Sequence, residues 1–80
     1  MRLQIAGPGC RNCQKTERNV VDACAELGIA ADISHVTNIA EIIELGVMRT
    51  PAVVLDGEIV ISGHVPGVPE LKTILETRTH

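Results

Sequence analysis

The sequence predicts an α/β fold in the element order βαβαββα, with a mixed four-stranded sheet flanked by helices. Three observations carry that prediction. A short alternating segment opens the chain, a helical period over residues 11–27 follows it, and an Asp-Gly turn separates two β-branched runs near residue 56.

Taken in order, residues 2–6 set Leu3 and Ile5 against Arg2 and Gln4, the two-residue period of a strand with one buried face. Gly7-Pro8-Gly9 ends it. From Arg11 to Leu27 the period turns helical, with Val20, Cys24 and Leu27 on one face and Gly28 where a left-handed stop belongs. Residues 29–36 read as a second strand, in which Ile29, Ala31 and Ile33 alternate against Asp32 and Ser34. Asn38 then caps a second helix, Glu41 three residues on completes a capping box, and Ile39, Ile42 and Ile43 supply the buried stripe before Gly46 closes it. Ala52-Val53-Val54-Leu55 and Glu58-Ile59-Val60-Ile61 flank Asp56-Gly57, a dipeptide suited to a two-residue hairpin turn. Leu71, Ile74 and Leu75 at helical spacing give a final helix. The first two strands, joined through a helix, should run parallel with a right-handed crossover, and the hairpin adds antiparallel strands to the same sheet.

Eighty residues without a linker, repeat or low-complexity segment are expected to form one domain, 1–80. A chain this short buries only about 60% of the surface its unfolded form exposes. Its apolar fraction of 45% contains no Phe, Tyr or Trp, so the core must come from interdigitating aliphatic side chains. The missing aromatic rings and the formal charge of −3 both argue against a nucleic-acid partner, which calls for stacking platforms and a basic surface. No apolar run approaches the roughly 18 residues that cross a bilayer, and Met1-Arg2-Leu3-Gln4-Ile5 shows no signal-peptide pattern. A cytoplasmic monomer without membrane contact is therefore expected. Three unevenly spaced cysteines are too few for a secreted disulfide framework, and a close pair in a reducing compartment is catalytic, redox-sensing or metal-binding.

That pair is Cys10 and Cys13, in Gly9-Cys10-Arg11-Asn12-Cys13 at a strand-to-helix junction. Unpaired backbone N–H groups and the positive end of the helix dipole stabilise a thiolate in the first turn. Arg11, Lys15 and Arg49 add positive charge, from which Glu17 subtracts, and the Arg11-Asn12 spacer tunes the pair. A two-residue spacer also lets the second sulfur reach the first, so a mixed disulfide can be resolved internally.

These residues, together with Thr50-Pro51 before the third strand, Asp56-Gly57 in the hairpin and Gly63 after the fourth strand, resemble the thioredoxin superfamily. The likeness spans essentially the whole chain and is to the small, glutaredoxin-sized redox-active disulfide proteins of archaea and bacteria. It implies a minimal thioredoxin-like fold and thiol–disulfide oxidoreduction without a cofactor. It further implies that Cys10 attacks, that Cys13 resolves, and that Pro51 is cis and faces the disulfide. Thr50 would then offer its backbone to an extended segment of a protein disulfide client, and a separate reductase would recharge the pair.

Other roles for the same residues stay open on sequence alone. Two thiolates also suit a soft-metal carrier for copper or zinc, although such carriers of βαββαβ type end in a strand rather than a helix. A redox-silent adaptor of the same fold is a third reading. Cys24 lies eleven residues beyond Cys13, about 16 Å along an ideal helix, too far for a disulfide, and its place beside Val20 and Leu27 marks a buried, inert thiol. His35 ends the second strand near the expected site and is a candidate for tuning the thiols, though a polar strand end is the simpler role. His64, His80 and the charges Glu70, Lys72 and Glu76 read as solvated surface.

Overall fold

The computed structural model describes residues 1–9 and 11–79, the side chain of Thr79 excepted. Its elements are β1 (Arg2–Ala6), α1 (Arg11–Leu27), β2 (Asp32–Val36), α2 (Ile39–Glu44), β3 (Ala52–Leu55), β4 (Glu58–Ser62) and α3 (Val68–Thr79). The βαβαββα order is the expected one. The sheet runs β2-β1-β3-β4, with β1 parallel to β2 and antiparallel to β3, and β3 antiparallel to β4.

Alternation along the strands divides the core between the two faces of the sheet. Leu3, Ile5, Val53, Leu55 and Ile61 point to one face, where Val20, Ala23 and Cys24 of α1 and Leu71 and Leu75 of α3 cover them. Ala6, Val36, Ala52 and Val54 belong to the other face, covered by Ile42 of α2 and by Val47. Asp56 (φ 47) and Gly57 (φ 87) both take the left-handed region, as the hairpin twist requires, and Val60 is left without an opposite residue by a register shift.

Two expectations are corrected. The second strand starts at Asp32, not Ile29. Gly28 (φ 68) stops α1, the Ile29 N–H donates to the Cys24 carbonyl, and Ile29 and Ala31 pack against the core from a connection outside the ladder. The buried stripe of α2 is a single residue. Ile42 is buried, whereas Ile39 and Ile43 are each 67% exposed, because a six-residue helix resting on a sheet turns little more than one side chain inward. Asn38 caps α2 as expected, its Oδ1 accepting from the N–H groups of Ala40 and Glu41 at 2.9 and 3.2 Å. Among the described residues, no hydrogen bond from the Asn38 N–H to the Glu41 carboxylate completes the box.

Candidate functional site: the Cys13 seat

The site is built where β1 stops. Gly7 continues β1 by one residue, donating its N–H to the Val36 carbonyl at 2.9 Å, and the chain then turns through Pro8 and Gly9 into α1. Cys13, in the first turns of α1, is fully buried. Its sulfur occupies the space a side chain at Gly7 would need: a Cβ there would overlap Cys13 Sγ and lie 3.2 Å from Cys13 Cβ and 3.8 Å from Thr50 Cβ. Gly7 is thus the floor on which Cys13 and the residue before Pro51 meet.

The opposite wall comes from the α2–β3 connection. The Thr50-Pro51 peptide bond is cis, as the family resemblance implied. Pro51 is buried and Thr50 is exposed. The Pro51 carbonyl accepts from the Gly63 N–H at 3.0 Å, and Ser62 Oγ donates to the Arg49 carbonyl at 3.4 Å, so the end of β4 braces this wall. Gly63 has φ +85, and a Cβ there would meet Arg49 Cδ at 3.1 Å, so both conformation and space call for glycine.

The start of α1 is tied down by its polar residues. Thr16, buried beneath the helix, donates its hydroxyl to the Asn12 carbonyl at 2.8 Å. Asn19 Nδ2 donates to the Pro66 carbonyl at 2.8 Å, linking α1 to the segment that leads into α3. Arg11 and Asn12 are exposed. His35 Nδ1 lies 3.3 Å from the Glu17 carboxylate, one helical turn beyond Cys13, while its Nε2 is buried without a hydrogen-bond partner among the described residues.

Of the residues singled out in the sequence, Cys13, Thr50 and Pro51 come together, and Arg11 and Asn12 stand at the helix start. Cys10 lies outside the described residues. Cys24 is held apart, buried in the α1–α3 face of the core, where desolvation pushes its thiol pKa up. His64 and Glu70 are exposed, as expected, and meet at 3.3 Å, while Lys72 reaches Glu26 at 3.4 Å and so ties α3 to α1. Sequence reasoning missed Gly7 as a seat, having read it only as a strand terminator; a glycine three residues before a CxxC was the available signal.

Comparison with known proteins agrees with this fold. A family model described as a thioredoxin domain matches residues 1–76. A protein named thioredoxin from Methanothermobacter thermautotrophicus is 41% identical over 75 residues, covering 94% of this chain and 97% of that one. Another of the same name from Methanocaldococcus jannaschii is 44% identical over 75 residues, covering 94% and 86%.

Proposed function

The chain belongs to the thioredoxin family and is, at that level, a thiol–disulfide oxidoreductase; on that premise we propose that Cys10 and Cys13 are its exchanging pair and that its substrates are protein disulfides. The observation that carries the reading is the seat of Cys13, whose sulfur is buried against Gly7 and beside Thr50, in space that a Cβ at position 7 would overlap.

The chemistry follows from a pair whose second thiol, Cys13, is sheltered. Cys10, as thiolate, attacks one sulfur of a client disulfide, forming a mixed disulfide and releasing the other client sulfur as thiolate, which takes a proton from water. Cys13 loses its proton and attacks the Cys10 sulfur, so that the Cys10–Cys13 bond forms and the second client sulfur leaves as thiolate. Two electrons pass to the client, and a reductase returns two to the pair. Thr50, exposed beside the seat, offers its backbone N–H and C=O to an extended client segment, and Pro51 closes the wall behind it without a competing N–H donor.

The test is an equilibrium titration in thiol–disulfide buffers with mass-resolved alkylation, beside trapping with single-cysteine variants. The expected result is one two-electron transition confined to Cys10 and Cys13, with Cys13→Ser accumulating mixed disulfides. A pair that does not cycle, or one that binds Cu(I) or Zn(II) in preference to cycling, overturns the proposal.

A further inference from the structure

The charges of this chain are sorted by end, and the sorting runs against helix stability. Arg11 stands in the first turn of α1 and Lys15 in the second, with no carboxylate in the first turn, whereas Asp22 and Glu26 lie toward the C-terminus with no cation in the last turn. A helix dipole prefers the reverse. The ion pairs sharpen the asymmetry. Lys72 is held by Glu26 and Arg78 by Glu58, whereas the Asp56 carboxylate accepts only from the Arg2 backbone N–H, at 2.7 Å. The other five cations are exposed and form no ion pair among the described residues, and with Arg2 at the far end of β1 that leaves Arg11, Lys15, Arg18 and Arg49.

Topology puts these four at the thiol end. Arg11, Lys15 and Arg18 occupy the first half of α1, and Arg49 precedes Thr50 in the wall beside Cys13. Asp32 pairs with Arg2 at the opposite end of β1, where the hairpin's Asp56 N–H also donates to the Arg2 carbonyl. The nearer carboxylates are engaged or turned away: Glu17 lies 3.3 Å from His35, Glu70 lies 3.3 Å from His64, and Glu41 and Glu44 ride on α2 across the sheet from α1. A chain of formal charge −3 thus presents a basic rim at the end of the molecule that holds the Cys13 seat.

We infer that this rim is a docking surface for protein clients whose reducible disulfide is flanked by carboxylates, Arg11 and Arg49 engaging acids beside the disulfide and Lys15 and Arg18 steering the approach along α1. This rests on the proposed exchange chemistry and names its substrate class. Opposite charge at the point of encounter accelerates association and selects partners, and it does so in a salt-dependent way. A nucleic acid would meet the same cations, but the chain has no aromatic side chain on which a base could stack.

The experiment measures second-order rate constants for the reduced protein with two peptide disulfides, one flanked by Asp and Glu and one by Lys. Each constant is divided by that of dithiothreitol with the same peptide, which removes the peptide's own reactivity. The expected result is a preference of about tenfold for the acidic peptide at about 10 mM salt. It should collapse toward unity at about 1 M, where the screening length falls from about 30 Å to about 3 Å. Lys15→Glu with Arg18→Glu should lower the ratio at low salt. Exchange with an uncharged disulfide but no difference between the peptides, or a difference that salt and the two substitutions leave intact, overturns the docking surface alone. Failure to exchange with any disulfide removes the underlying chemistry and this inference with it. Tighter binding of a single-stranded RNA oligonucleotide than of the acidic peptide at low salt overturns the assignment to a protein partner.

Discussion

At Gly7 the constraint is steric rather than conformational, since its backbone does not take the left-handed region. Gly7→Ala places a methyl group where Cys13 Sγ sits, and the cost expected for such overpacking is about 1–3 kcal/mol. Urea unfolding of the reduced protein measures it, and Cys13→Ala in the Gly7→Ala background should recover part of the loss, because the two sites share one volume. Strict additivity of the two substitutions would contradict the shared seat. Cys24 makes a different claim at the same scale. Burial raises its pKa in the folded chain, so the folded state holds that proton to higher pH than the unfolded one does. The stabilisation is fully present below the unfolded thiol value of about 8.5 and is lost as pH rises toward the folded one. Stability of the reduced protein should therefore decline in mildly alkaline solution, and Cys24→Ala should flatten that part of the curve despite a lower starting value.

Among the elements, α2 is the least secured. It spans six residues, buries one isoleucine, and relies on Asn38 for its first turn. Asn38→Ala should cost about 1 kcal/mol, the usual value of a lost N-cap, and the loss should appear in hydrogen exchange of residues 39–45 before it appears elsewhere. Unchanged exchange there would place the helix's stability in packing rather than in its cap. The same helix shows where sequence reading stops. Asn38 and Gly46 mark its ends by local chemistry, and so they were legible; which isoleucine faces the sheet depends on the seating angle, which no local pattern carries. The hairpin turn was legible because Asp56-Gly57 favours it locally, whereas the register shift that leaves Val60 unpaired was not. The start of β2 was not, since Ile29 and Ala31 alternate like strand residues yet are drawn inward from a connection that begins at the Gly28 stop. At the site, the CxxC and Thr50-Pro51 were visible as motifs, whereas their meeting across Gly7 is a long-range contact.

For the molecule as a whole, the two faces of the sheet are unequally protected. One is covered by α1 and α3 together, the other by α2 and Val47. Amides of β1, β3 and the middle of α1 should therefore exchange only through openings close to global unfolding, while those of α2 should be at least about tenfold less protected. Exchange followed residue by residue checks this, and equal protection on both sides would refute it. The better-covered face also encloses Cys24, 4% exposed and remote from the seat of Cys13. That position turns an otherwise idle side chain into a clock. With the Cys10–Cys13 pair held as its disulfide, a maleimide has only Cys24 left to label, and it reaches that sulfur only when the α1 face parts from the sheet. The labelling rate then counts those partings one molecule at a time, and a client that tightens the fold on docking will be seen to slow the clock.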